Sequence, residues 1–184
     1  MTMVSVEAVG FCAHYSKQGD WAFDLALKIA KRKGLQLNVF HFLRDPFDPS
    51  DRTGEGATRE ELERILIEKE KELRLYYDER IGDYLKVGFR LCEDPEWTEL
   101  HRCLCRREFQ LLVLPRPEYG STFGGRGIEE FADDFVCPAA IVGPTSPLDL
   151  RLNSPARLIA DRFGLGVDRR PDSRTGLDSA GLAG

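Results

Sequence analysis

The segment from Phe109 to Pro144 constrains the fold of this chain more than any other. It opens with an unbroken apolar run, Leu111 to Leu114, which is typical of a strand that is covered on both faces. A glycine-rich loop follows, and apolar residues then recur at helical spacing. These residues are Ile128, Phe131, Ala132 and Phe135. A second apolar run, Ala139 to Val142, predicts another strand, so the segment indicates a strand–helix–strand crossover of a parallel sheet.

The rest of the chain continues this alternation of strands and helices. Apolar runs predict further strands at Val4–Phe11, Leu35–Leu43 and Val87–Leu91. Capping residues predict that helices start at Asp20, at Thr58 and at Asp94. The order predicts an α/β fold, a doubly wound five-stranded parallel sheet with helices on both faces.

The chain is expected to divide at Pro144. Residues 1–144 form the predicted α/β domain, in which the loop Arg44–Ala57 is long enough to be a functional lid or a mobile linker. Residues 145–184 are rich in Gly, Pro, Ser, Arg and Asp, which is typical of a flexible C-terminal tail. One weakly amphipathic piece of this tail, Ala156–Phe163, is a candidate helix.

Composition narrows the class of function. The net charge of -5 argues against a general nucleic-acid binder, because neutralising phosphates needs a basic surface. No apolar run is long enough for a membrane span. The first residues carry no basic region of the kind that opens a signal peptide, and the five cysteines lack the spacing of a disulfide framework. We therefore expect a cytoplasmic protein with reduced thiols.

Together, these features resemble the universal stress protein family over about Val4 to Pro144. The strand order, the strand end Val39-Phe40-His41-Phe42-Leu43, the glycine loop and the Cys137-Pro138 start of the last strand carry the resemblance. It implies an adenine-nucleotide-binding type of α/β fold and roles in stress survival and regulation, in some members with ATP or AMP bound and slowly hydrolysed. It also implies a homodimer through the last strand, Pro138 to Val142.

The nucleotide motif of the family is altered in this chain. Members that bind ATP carry Gly-x-x-Gly, nine residues, and then Gly-Ser/Thr. Here Pro115 and Glu118 stand at the first two glycine positions, and Gly125-Arg126 replaces the Gly-Ser/Thr pair. The loop is about three residues short, judged by residue count along the sequence. Cys12 replaces the aspartate that follows the first strand of the family.

A candidate cofactor site nevertheless follows from the resemblance and from the chemistry of the loop. Glycines allow close backbone approach, a helix N-terminus attracts anions, and arginines bind phosphate, whereas Glu118, Glu129 and Glu130 would repel it. The candidate residues for ATP or AMP are Cys12, Phe42, Arg116, Gly124, Gly125, Arg126 and Gly127. The glycines could equally form only a tight turn.

Two functions are therefore predicted as alternatives. The first is a regulatory or interaction module of the stress response without strong ATP binding. The second is an adenine-nucleotide-binding protein with slow ATP hydrolysis. We assign no catalytic residue.

Two further sets of residues were considered as sites. His101, Cys103 and Cys105 are two apart, so on a helix they point in different directions, and no metal site is assigned. Cys12 with His14 is a candidate nucleophile pair or the basis of a redox-responsive module, but a neutral pocket wall is the other interpretation of Cys12.

Overall fold

The computed structural model describes residues 8–92, 102–103, 105–106, 108–118, 122–134 and 137–165. The strands are β1 (Ala8–Cys12), β2 (Gln36–Phe42), β3 (Val87–Cys92), β4 (Leu111–Pro115), β5 (Thr122–Phe123), β6 (Arg126–Gly127), β7 (Ala139–Val142) and β8 (Leu150–Leu152). The helices are α1 (Lys17–Lys33), α2 (Arg59–Ile81), α3 (Ile128–Asp134) and α4 (Ser154–Ile159), and a 3-10 helix, Ala160–Phe163, follows α4. The predicted features at Val4, Asp94, His101 and Phe135 lie outside the described residues.

The central sheet has the strand order β3-β2-β1-β4-β7-β8. Its first five strands are parallel, which confirms the predicted doubly wound arrangement. The sixth strand, β8, was not predicted. It pairs antiparallel with β7, and Val142 lies opposite Leu150. Strand order reverses between β1 and β4, so the carboxyl ends of these two strands border the crevice where open α/β sheets bind ligands.

Helices cover both faces of the sheet, as predicted. One face buries Val9 and Phe11 of β1 against α1, α2 and the C-terminal helices. The other face buries Ala8 and Cys12 of the same strand against α3 and a group of phenylalanines. Successive strand residues point to opposite faces, which explains why the central strands are apolar throughout.

The ends of α1 and α2 follow from capping chemistry. The Ser16 side chain accepts a hydrogen bond from the Gly19 backbone and caps α1, and Gly34 ends the helix in the left-handed conformation, at φ 64°. The expected cap at Asp20 was therefore wrong, because Ser16 already satisfies the first turn. Thr58 and Glu61 form the predicted capping box of α2.

Residues 145–165 belong to the α/β domain, and the prediction of a flexible tail was wrong for them. Strand β8 extends the sheet, and Leu152, Ala156, Ala160 and Phe163 are buried in the core under α1. The sequence pattern did not predict that residues 145–165 join the domain, because the apolar residues of β8 and α4 are few and are separated by polar ones. Residues 166–184 lie outside the described part of the chain.

The addition of β8 also changes the edge of the sheet. The backbone of β7 is paired on one side with β4 and on the other with β8. The predicted dimer contact through Pro138 to Val142 would need a free edge on β7, and the chain's own β8 fills that edge. Among the described residues, no helix combines the length and the apolar character needed to cross a bilayer.

Candidate functional site

Two clefts lie beyond the carboxyl ends of the central strands. The switch-point cleft has a volume of about 530 Å³ and lies among residues that follow β1, β2 and β4, such as His14, Asp48 and Glu118. The histidine cleft has a volume of about 170 Å³ and is lined in part by His14, His41 and Lys69. The larger cleft is in the size range of small-molecule sites.

His14 lies at the junction of the two clefts and is held by two polar side chains. Its Nε2 atom lies 3.2 Å from an Asp45 carboxylate oxygen, and its Nδ1 atom lies 2.8 Å from the hydroxyl oxygen of Ser16. Its ring also contacts Phe47 edge-on, with 5.0 Å between ring centroids. The loops after β1 and β2 therefore meet through their side chains, because these two strands are neighbours in the sheet.

The loop after β2 is ordered by its own carboxylates. Asp45 accepts a hydrogen bond from the Phe47 backbone, at 2.9 Å, and Asp51 accepts one from the Asp45 backbone, at 2.8 Å. Partial burial would raise the pKa of Asp51, but hydrogen bonds from Asp45 and Thr53 hold this pKa below its ordinary value. Side-chain-to-backbone hydrogen bonds of this kind make successive tight turns, so the conformation of the loop after β2 is fixed by its own side chains.

His41 is buried at the end of β2 and lines the histidine cleft. Among the described residues, its Nδ1 atom has no hydrogen-bond partner. Burial lowers the pKa of His41 to about 4, and the nearby Lys69 ammonium acts in the same direction. The imidazole is therefore neutral at neutral pH.

Residues 122–127 of the glycine-rich loop form a β-hairpin. Gly124 and Gly125 are its two central residues, at φ 59° and 83°, and Phe123 pairs with Arg126 across them. Two successive positive φ values define the turn that fits the twist of a two-residue hairpin, and glycine adopts them at little cost. The backbone N–H of Gly124 donates to the carbonyl of Pro46, at 2.9 Å. The glycines are thus required by the turn itself.

Phe123 anchors this hairpin in the core. Its side chain is 1 % exposed and packs against Phe42, Phe47 and Phe131. The predicted cofactor residue Phe42 lines the histidine cleft, and its ring packs edge-on against Phe123 of this aromatic cluster. The residue that precedes the glycine turn is therefore held in an aromatic cluster of the core.

The two predicted phosphate-binding arginines pair with carboxylates of α3. Arg116 pairs with Glu129 in the first turn, and Glu129 also lies 3.1 Å from Arg151. The hydrogen bond from Arg116 lowers the pKa of Glu129. Arg126 lies 3.0 Å from Asp134, the last residue of α3. The two guanidinium groups therefore form ion pairs at opposite ends of α3.

The predicted cysteine sites are separated in space. Cys12 is fully buried, and burial raises the pKa of its thiol, so it is a neutral part of the core. The partners of His14 are Ser16 and Asp45 rather than Cys12. Cys103 is buried and Cys105 is exposed, so these two side chains do not share a surface. No group of three metal-ligating side chains comes together within the described ranges.

The seven predicted cofactor residues thus occupy several environments. Cys12 and Phe42 belong to one buried cluster, Gly124 and Gly125 make a turn that continues into Arg126 and Gly127, and Arg116 pairs with α3. Asp45 was not predicted as a partner of His14. The signal that could have found it is positional, since both residues follow neighbouring parallel strands within three residues of the strand end.

Comparison with solved structures agrees with this architecture. A universal stress protein family member from Burkholderia pseudomallei superposes with a TM-score of 0.54 and 18% identity, over 75% of this chain and 96% of that chain. The universal stress protein from Archaeoglobus fulgidus gives a TM-score of 0.51 and 14% identity, over 75% of this chain and 98% of that chain. No family model and no curated protein matches the sequence.

The architecture is therefore a mostly parallel α/β sandwich with a cleft of small-molecule size at its strand ends. More particularly, the fold is that of the universal stress proteins, which confirms the predicted resemblance at the level of the fold.

Proposed function

We propose that this chain is a universal-stress-protein-like regulatory or interaction module of the stress response, without strong ATP binding. The fold shared with universal stress proteins supports the family, and the altered nucleotide motif supports the loss of the ligand. The compartment proposed is the cytoplasm.

The observation that carries this proposal is the state of the glycine loop. Gly124 and Gly125 close a two-residue hairpin, and the preceding residue, Phe123, is buried in an aromatic cluster. A phosphate cradle instead needs several backbone N–H groups that face an open anion site. A hairpin turn of two residues offers few such groups, and the Gly124 N–H already donates to Pro46.

Charge also opposes a polyphosphate. Arg116, the candidate phosphate ligand nearest to β4, is paired with Glu129. The charged residues of the switch-point cleft are Lys17, Asp45, Asp48 and Glu118. A triphosphate there would meet more carboxylates than cations, and binding would leave like charges close together.

Calorimetric titration of the purified chain with ATP, AMP and cyclic AMP, with and without magnesium, tests the proposal. We expect affinities weaker than about 1 mM for all three. Glu129→Gln is the informative variant because it releases Arg116 while it keeps the shape of the side chain. A gain of ATP binding in this variant would show that the ion pair blocks the site.

The nucleotide-binding alternative makes the opposite forecast. Micromolar binding by the unmodified chain, or a nucleotide that copurifies with it, would overturn the proposal and would call for an assay of ATP hydrolysis. If no nucleotide binds, capture of protein partners by the full chain is the next measurement, with Ile67→Glu as a surface variant since Ile67 is 55% exposed on α2.

The homodimer remains part of the proposal, but its contact must lie elsewhere than on the free edge of β7. Strand β8 is the outer strand on this side of the described sheet. A second copy that adds to the sheet would therefore pair with β8 or use another surface.

A further inference from the structure

Ser16, His14 and Asp45 come together at the switch-point cleft, which all three residues line. The Asp45 carboxylate lies 3.2 Å from Nε2 of His14, and the Ser16 hydroxyl lies 2.8 Å from Nδ1. A carboxylate accepts only, so it holds the tautomer in which Nε2 carries the proton. The free lone pair of Nδ1 then accepts the proton of the Ser16 hydroxyl. A serine, a base and a group that orients the base are the parts of an activated nucleophile.

The position of Ser16 adds to this activation. Ser16 caps α1, and its hydroxyl oxygen accepts a hydrogen bond from the Gly19 backbone, at 3.0 Å. That N–H and the positive end of the helix dipole stabilise negative charge on the oxygen as the proton leaves. The first turn of α1 also supplies backbone N–H groups without intrahelical acceptors, on residues Lys17 and Gln18 that line the same cleft. Such groups are suited to a developing oxyanion.

The loop that carries His14 and Ser16 is fixed by close packing. A Cβ atom at Gly19 would overlap the backbone carbonyl oxygen of His14. The Ser16 backbone N–H also donates to that carbonyl, at 3.0 Å. The loop therefore folds tightly onto the first turn of α1, and the serine and the histidine are held in position before any ligand arrives.

We propose that Ser16 is a nucleophile toward small carboxylic esters, with His14 as its base and Asp45 as the residue that positions His14. The cleft favours a neutral or cationic ester, because Asp48 and Glu118 line it and would repel an anion. Phe47, Pro49 and Pro117 provide apolar surface for the acyl or alcohol part. This activity does not depend on the regulatory role proposed above.

The reaction requires only the ester and water. The Ser16 oxygen bonds to the ester carbonyl carbon while its proton passes to Nδ1 of His14. The carbon–oxygen bond to the alcohol then breaks, and the leaving alkoxide takes that proton. Water attacks the acylated serine in the second half, gives a proton to His14, and releases the carboxylic acid as Ser16 recovers its proton.

Covalent labelling of the purified full chain with diisopropyl fluorophosphate tests the proposal, with the modified residue located by peptide mass spectrometry. We expect Ser16 to be labelled at least about tenfold faster than Ser50, an exposed serine whose hydroxyl donates to Asp48. His14→Asn should slow labelling of Ser16 by about a hundredfold or more. Ser16→Asn keeps a good helix cap but has no hydroxyl, so it should abolish labelling while the circular dichroism spectrum stays unchanged.

Turnover of 4-nitrophenyl acetate provides the second readout. The unmodified chain should release an initial burst of 4-nitrophenol, and Ser16→Asn should lose it. Asp45→Asn should lower kcat by a larger factor than it changes KM, since Asp45 acts through His14. Labelling of Ser16 no faster than that of Ser50, or labelling that is unaffected by His14→Asn in a folded protein, would overturn the proposal.

Discussion

The side-chain oxygen of Asn153 accepts a hydrogen bond from the backbone N–H of Ala139, at 2.9 Å, and so joins the residue after β8 to the first residue of β7. The same oxygen accepts from the Ala156 backbone, at 3.0 Å, and caps α4. The side-chain nitrogen donates to the carbonyls of Ala132 and Cys137, at 2.9 and 2.8 Å. One buried amide therefore connects β7, α3 and α4.

We expect Asn153→Ala to destabilise the protein by roughly 3 kcal/mol, because it leaves buried N–H and C=O groups without partners. Urea denaturation followed by circular dichroism measures the change. Ser146→Ala is the control, since the Ser146 hydroxyl accepts a single hydrogen bond from the Leu148 backbone N–H on the exposed surface. Equal stability of the two variants would show that Asn153 does not hold the C-terminal segment in place.

Substitution at the hairpin turn tests the role assigned to its glycines. Gly125→Ala should cost roughly 1–2 kcal/mol, because residue 125 has a φ of 83° that alanine rarely adopts. Gly125→Asn should cost less, since asparagine tolerates the left-handed conformation. Gly127→Ala is the control, because the nearest atom to its added Cβ would be 3.8 Å away. A cost at Gly127 equal to that at Gly125 would argue against a conformational role for the turn.

His41 predicts a dependence of stability on pH. The pKa of its buried imidazole is about 4 in the folded chain, compared with an ordinary value of 6.5. Between these values the unfolded chain binds a proton that the folded chain excludes, so the free energy of unfolding falls as the pH falls from 6.5 to 4. The full loss is roughly 3 kcal/mol.

Urea denaturation at several pH values measures this contribution. In His41→Phe the free energy of unfolding should fall less steeply between pH 6.5 and pH 5, because the variant has no imidazole at position 41 to protonate. A slope that is unchanged in His41→Phe would mean that other groups cause the acid sensitivity.

A substitution of Ile141 on β7 tests whether this residue belongs to the core or to a dimer contact. Its side chain is 3% exposed and belongs to the buried cluster that includes Phe131 and Ala132 of α3. We expect Ile141→Asp to unfold the domain, at a cost of roughly 3 kcal/mol or more, since it buries an unpaired charge. Leu148→Asp, at a residue that is 92% exposed, should be nearly neutral.

Sedimentation together with denaturation decides whether Ile141 is a core residue or a dimer contact. A stably folded monomer formed by Ile141→Asp from a wild-type dimer would instead support the interface that the sequence predicted.

The sequence alone was sufficient for the parallel part of the fold. Runs such as Leu111–Leu114 and the helical stripe at Ile128, Phe131 and Ala132 carry their periodicity in neighbouring residues, which is why these elements were predicted. The capping box at Thr58 is equally local, because the groups that satisfy the helix end lie within one turn.

The candidate site depended on information that the sequence pattern does not contain. Gly124 and Gly125 suit a phosphate loop and a hairpin turn equally well, and only the pairing of Phe123 with Arg126 decided between the two geometries. The contacts of His14 with Asp45 and Ser16 needed the neighbouring positions of β1 and β2.

The sequence by itself therefore determined the class of fold and the succession of its five parallel strands along the chain, because hydrophobic periodicity and helix capping are local properties. Only the tertiary structure decided that residues 145–165 complete the sheet, that the glycine loop is a hairpin, and that His14 faces Asp45 and Ser16. The physical reason is that these features rest on contacts between residues distant in sequence. Their partners are selected by packing and hydrogen bonding across the whole domain.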